Sequence, residues 1–373
     1  MYQMTERKNY KLAIYLWLAM SSTAVYAQKK ESKKTEKTKT EKTDSTATKV
    51  KNINELLKKG IYKKGLFNTI QVKTDIYFEI PDSLFGRQFL IVNKLSQVPM
   101  QVNDAGLNKG MNYENKVITF HRDSIAKKVW VKTIVPQVSS PKNDAITASV
   151  KDNFSESIIE VFDIEAQNND STSVVVKVNK VFDGNQKSFN DVLTNIGLGG
   201  SVKANLSYVE NVKSFPENIV VKSQLTTSVN EGGVDLAVTL GVTSNIVLLA
   251  QTPMQPRLAD PRVGFFTEKH WFFNDGQHKM DEQKFITKWR LEPKEQDKEK
   301  YLRGELVEPQ KPIVYYIDPA TPKQWRHKII DGVHDWQIAF EQAGFKNAVI
   351  AKEPTADDKD FDIDDVRYSV ITY

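Results

Sequence analysis

From Asn52 onward the chain runs in short apolar-polar alternations, the period of half-buried strands. Ile70, Val72, Ile76, Phe78 and Ile80 alternate with polar neighbours from Thr69 to Ile80 and predict one strand. Pro81-Asp82-Ser83 makes a turn, and Phe89 to Leu95 follows as an apolar strand. With a short helix at Asn54–Lys59, broken off by Gly60 and Gly65, this predicts a small α+β unit over residues 53–99. Residues 115–252 are rich in β-branched runs, at Val117–Phe120, Val129–Val135, Ile158–Ile164 and Val174–Val178. Segments 158–166 and 172–182 flank a hairpin loop at Gln167–Ser171. Long strands are predicted at Lys203–Val212, Ile219–Val229 and Val234–Leu249, turning at Pro216-Glu217-Asn218 and Glu231-Gly232-Gly233. A twisted antiparallel sheet or sandwich is expected within a β-rich domain over 100–293.

Gln255 to Glu292 is aromatic-rich and reads as irregular; residues 294–311 are charged and proline-punctuated, and read as a linker. The pattern then changes. Ile313–Ile317 is a strand. Thr321 is placed as a helix N-cap with Pro322 at the first helical position. Trp325, Ile329, Val333, Trp336 and Phe340 recur at helical spacing to a stop at Gly344, a face about five turns long. Ala348–Ala351 and Val366–Tyr373 are further strands around an acidic loop at Asp357–Asp365. The fold class expected is therefore α+β, mainly antiparallel β.

The two ends of the charge distribution change the picture. Arg7, Lys8 and Lys11, an apolar run from Leu12 to Met20 and small residues at Val25 and Ala27 predict a signal peptide over 1–27, cleaved after Ala27. The run of about nine apolar residues is too short to span a bilayer. Export is expected, to periplasm, cell surface or medium, with no membrane span. Residues 28–52 are Lys, Thr, Glu and Ser with little to bury, and are expected as a disordered linker. The formal charge of +5 resides at this end. Residues 28–51 carry nine lysines against four acids, and residues 1–27 three bases against one acid, which leaves −2 for the rest. No nucleic-acid partner is expected from such a balance. The absence of cysteine excludes thiol catalysis, cysteine zinc sites and a lipid-bearing cysteine.

Candidate chemistry is sparse. His327 and His334 lie two turns apart on the predicted helix, about 10.5 Å, too far for one zinc ion with ligands at about 2 Å. His121, His270 and His278 lack partners at metal-ligand spacing, and no HExxH occurs. Asp358, Asp360, Asp362 and Asp364 alternate like a calcium loop, but Ile363 and Ser369 stand where an EF-hand needs Gly and Glu. A solvated acidic loop is expected. Ile196-Gly197-Leu198-Gly199-Gly200 is followed by strand residues and reads as a turn. No catalytic, cofactor-binding or metal residue is assigned.

The segments nevertheless resemble a known family in their order and wording. Gly65-Leu66-Phe67, Tyr77-Phe78-Glu79-Ile80-Pro81-Asp82-Ser83-Leu84 and Phe89-Leu90-Ile91-Val92 resemble the DUF5118 domain that opens a family of bacterial zinc-dependent metalloproteases common in Bacteroidetes. Asp260-Pro261-Arg262-Val263-Gly264-Phe265-Phe266 and Trp289-Arg290-Leu291-Glu292 resemble its DUF5117 domain. Pro312 to Asp318, Trp336, Phe340, Gly344-Phe345 and Arg367-Tyr368-Ser369-Val370 are similar to the opening of a metzincin-like α/β catalytic domain. In that family a zinc-binding HExxHxxGxxH helix follows, its glutamate acting as general base. None of those positions occurs here, so no residue is carried over.

The resemblance implies an amino-terminal portion of an exported zinc metalloprotease, truncated before its zinc motif and inactive alone. The intact family would use zinc and a protein or peptide substrate, with a separate catalytic half a partner for this chain; no cofactor is expected for the chain by itself. The rival expectation is a standalone exported β-rich binding or scaffold module.

Overall fold

The computed structural model describes residues 51–104, 106–198, 201–231 and 233–373. The expected signal peptide and all of the expected linker before Lys51 lie outside them. The chain begins with β1 (Lys51–Asn52) and α1 (Asn54–Leu57), then β2 (Ile61–Lys63), β3 (Asn68–Val72), β4 (Asp75–Pro81) and β5 (Gln88–Gln97). After α2 (Met100–Asn103) come β6 (Asn112–Asp123), β7 (Lys128–Ile134) and β8 (Val138–Ser139). Next are α3 (Ile146–Asn153), β9 (Ser157–Gln167), β10 (Ser173–Lys177) and α4 (Val192–Asn195). The long strands β11 (Tyr208–Ser214), β12 (Asn218–Glu231) and β13 (Val234–Leu248) follow. The mainly antiparallel β, α+β class read from the sequence is the class observed.

Twelve strands form one sheet in the order β11-β12-β13-β5-β6-β7-β9-β10-β4-β3-β2, with β1 beside β9. The predicted single strand Thr69–Ile80 is a hairpin, turning at Lys73, whose φ is 55°, so that Val72 faces Asp75. The segment expected as a separate small unit, 53–99, is woven into the β-rich region: β5 lies between β13 and β6, and β4 pairs with β10.

The sheet curls until its ends nearly meet. Leu66 N–H donates to Phe215 O at 2.7 Å, and Ser214 Oγ to Phe67 O at 2.6 Å. This joins the loop before β3 to the end of β11 and gives a near-barrel. Its interior is filled by aromatic rings. Phe67 lies 5.7 Å from Phe78, 5.4 Å from Phe89 and 5.5 Å from Phe120, centroid to centroid. All four are essentially fully buried, each stabilising the fold by roughly 1.5–3 kcal/mol relative to exposure. Outside the barrel α1 covers a smaller cluster, Ile53, Ile70, Ala166 and Val175.

The region read as irregular holds a hairpin, β14 (Thr267–Phe272) and β15 (Asp281–Ile286), with β8 parallel to β14. Its aromatic residues are half-exposed on both faces, so no clean alternation marked it. Asp275 at the hairpin tip accepts hydrogen bonds from Ala145 N (2.8 Å) and Ile146 N (2.9 Å), the free donors at the start of α3. Asp275→Ala is expected to cost about 1 kcal/mol, read as a shifted midpoint in urea denaturation.

The expected linker is packed structure. It contains α5 (Lys298–Leu302), whose Tyr301 stacks on Phe345 at 4.9 Å beside Leu291, Val307 and Phe340. Beyond it β16 (Ile313–Ile317) lies between β17 (Val349–Lys352) and β18 (Ser369–Ile371), all parallel. The predicted single helix is two, α6 (Lys323–His334) and α7 (Gln337–Gln342). Thr321 is not its cap: Pro322 holds that position, and the Thr321 hydroxyl is buried without a partner. Gly344 does end the helix, with φ 92° and Phe345 N–H bonded to Phe340 O.

Candidate functional site

The acidic loop read as solvated is docked on the barrel. Asp362 and Asp364, two residues apart, reach the outer face of β11 and β12. Lys213 Nζ meets both oxygens of Asp362 at 3.0 and 2.8 Å and Asp364 at 3.0 Å. Lys222 Nζ meets Asp364 at 2.7 Å. Asn218, fully buried, donates through Nδ2 to Asp364 O at 2.9 Å and accepts Val366 N–H at 3.1 Å. The side chain of Asp364 is 8% exposed. Burial alone would raise its pKa, but hydrogen bonds from Lys222 and Lys213 outweigh that and hold it below the ordinary 3.8. Desolvation likewise opposes the charge on Lys213, and the two carboxylates push its pKa above 10.5.

The Asp364 contribution is complete above its ordinary pKa and is lost as pH falls through the depressed folded value; that of Lys213 is complete below 10.5 and is lost as pH rises through the raised one. The contact is therefore expected to hold from about pH 4 to about pH 10. Hydrogen exchange of residues 361–368 across pH would show it.

The other side of the same loop faces β16. Tyr316, Phe361 and Tyr368 form a triad with centroids 4.9–5.3 Å apart. Asp365, completely buried, is held by Arg367 at 2.6 Å. Asp358 receives Tyr316 Oη and Lys352 Nζ, each at 3.1 Å, on one oxygen, and Thr355 on the other; bonds from the Thr355 backbone and hydroxyl, then Lys352, hold its pKa far below the carboxylate range. One edge of the small sheet is capped by side chains: His334 Nε2 accepts Ala351 N–H at 3.2 Å, and Gln337 Nε2 donates to Val349 O at 2.6 Å. Those are the positions a neighbouring strand would fill.

The histidines do not converge. His121 bonds Thr119 Oγ1 at 2.9 Å, His270 packs edge-on to Phe285 at 4.9 Å, and His278 and His327 are exposed. Among the described residues no group of three or more His, Cys, Asp or Glu is placed to hold a metal ion, and no helix is long and apolar enough to cross a membrane. The buried Glu79 accepts Ser173 Oγ (2.7 Å), Asn68 Nδ2 (2.9 Å) and Tyr62 Oη (3.2 Å). Burial, then the carboxylate, push the Tyr62 phenol up to about 12, so it remains a donor. Gly197, with φ 77°, turns the chain after α4; Gly199 and Gly200 lie outside the described residues.

Residues 50–98 match the family described as domain of unknown function DUF5118, and residues 110–294 the one described as domain of unknown function DUF5117. The chain carries both domains, in that order. No curated protein and no solved structure matches it. The DUF5118 match holds β1 to β5 and the DUF5117 match β6 to β15, so the barrel is a joint product of the two. Residues 313–371 follow the DUF5117 match. Lys213, Asn218 and Lys222 belong to DUF5117, while their acidic partners do not.

Sequence reading missed these three residues. Lysines on the polar face of a strand carry no mark of a partner about 150 positions away. The available signal was the close pair Asp362 and Asp364, which a local turn, with Asp364 N–H on Asp362 Oδ1, brings to the same lysine.

Proposed function

We propose that this chain is the non-catalytic, amino-terminal portion of an exported zinc-dependent metallopeptidase, in which the DUF5118–DUF5117 barrel carries the first strand–helix–strand unit of a metzincin-like catalytic domain. The observation that supports this most is the state of that unit. Its three strands are all parallel, an arrangement ordinarily covered on both faces. Yet no residue of α6 or α7 is buried, and Trp325, Trp336 and Ile338 are 49%, 64% and 71% exposed. Unsupported apolar surface of that kind fits further polypeptide packing. The described histidines do not fit zinc: they are dispersed, and His334 Nε2 is already engaged. No step of hydrolysis is therefore assigned to them. In this reading the zinc ligands and the general base come from an HExxHxxGxxH helix that packs on the α6–α7 face.

The test is direct. Alone, the chain should show no chelator-sensitive peptide cleavage. Mixed with a polypeptide bearing that helix, it should form a stable complex in which residues 323–342 gain protection from hydrogen exchange. Chelator-sensitive cleavage by the chain alone would overturn the reading, as would complex formation that leaves 323–342 unprotected.

A further inference from the structure

We propose that residues 361–366 are an acidic latch, a strap by which the outer face of the barrel at Lys213, Asn218 and Lys222 holds the carboxy-terminal α/β unit and from which that unit can be released without unfolding the barrel. The latch has two faces with different chemistry. Toward the barrel it presents charge and backbone: Asp362 to Lys213, Asp364 to Lys213 and Lys222, and the Asp364 carbonyl and Val366 N–H to the amide of Asn218. Toward its own unit it presents the Phe361 ring against Tyr316, joined there by Tyr368 just beyond the strap. A local turn pre-forms it, with Asp364 N–H on Asp362 Oδ1, Asp365 N–H on Asp362 O, and Tyr368 N–H on Asp365 O. Asn245 completes the receiving surface by accepting Asn218 Nδ2 at 2.9 Å.

The partition of chemistry carries the inference. The rings keep the strap attached to β16, whereas the barrel holds it at Lys213, Asn218 and Lys222, all polar. Apolar burial is lost only with unfolding, but an ion-pair and amide contact is exchanged for water at modest net cost when both partners become solvated together. The barrel core beneath does not depend on it: Ile219, Val221 and Ile246, on the inner face of the same strands, belong to the main hydrophobic cluster.

The experiment compares Lys213→Met/Lys222→Met with Asp362→Asn/Asp364→Asn in the full chain, followed by hydrogen-exchange mass spectrometry. Both variants should lower protection of residues 357–371 about tenfold or more, while β12 and β13 keep theirs. The charge-reversed set, Lys213→Asp/Lys222→Asp with Asp362→Lys/Asp364→Lys, should restore much of it. Unchanged protection of 357–371 in both variants would overturn the latch. So would parallel loss of protection in β12 and β13, which would make the contact part of the barrel's own stability.

Discussion

Residues 110–294 expressed without the preceding strands will not form the native barrel. The DUF5117 match includes β6 and β13 but not β5, which lies between them and pairs with both. Its removal exposes two long edges in the middle of the sheet, with rows of backbone donors and acceptors unpaired. Loss of the whole segment before residue 110 also takes Phe67, Phe78, Ile80, Phe89 and Ile91 out of the core, all buried to within 1%. At roughly 1.5–3 kcal/mol for each side chain, the loss is of the order of the 5–15 kcal/mol by which a typical domain is stable at all. Dispersed amide spectra and a cooperative thermal transition from 110–294 alone would contradict this. Co-expression with residues 51–98 should recover the fold, because the missing strands then return as a separate chain.

The near-barrel was legible in the sequence strand by strand and illegible as a whole. The long runs from Ile219 and Val234 announced themselves through alternation and a glycine turn, and the structure pairs them from Asn218 opposite Val247 to Glu231 opposite Val234. Alternation failed at Lys73-Thr74. A two-residue turn preserves even-odd parity along the chain while reversing which parity faces the core, so Ile70 to Ile80 read as one strand. Ile70 and Val72 in fact share the outer face with Tyr77, while Ile76, Phe78 and Ile80 point inward. The division at residue 99 marked a real change of sequence family, yet families are bounded by descent and sheets by hydrogen bonds. The latch was legible in its acids and silent in its lysines. The break between α6 and α7 had no marker at all, since Asp335 and Trp336 carry neither the ring of proline nor the freedom of glycine.

Phe67→Ala should be the most damaging single substitution at the seam, costing about 3–5 kcal/mol. The ring is completely buried, and it contacts Phe78, Phe89 and Phe120, which belong to strands β4, β5 and β6. Its carbonyl meanwhile accepts the Ser214 hydroxyl that ties the loop to the end of β11. One residue thus fills the interior and sits at the closure, and the cavity left by alanine would lie where the sheet has least backbone pairing to resist collapse. Phe67→Leu, which restores most of the volume, should cost less than half as much. Gly65→Ala isolates the closure from the filling. A Cβ there would fall onto the Ser214 side chain and lie 2.8 Å from its carbonyl carbon, so the seam must open while the aromatic core keeps its rings. Urea denaturation of the three variants separates the contributions. If Phe67→Ala proves no worse than Gly65→Ala, the interior rings around Phe67 repack without it, and the barrel is held at the seam by backbone contact and not by its aromatic filling.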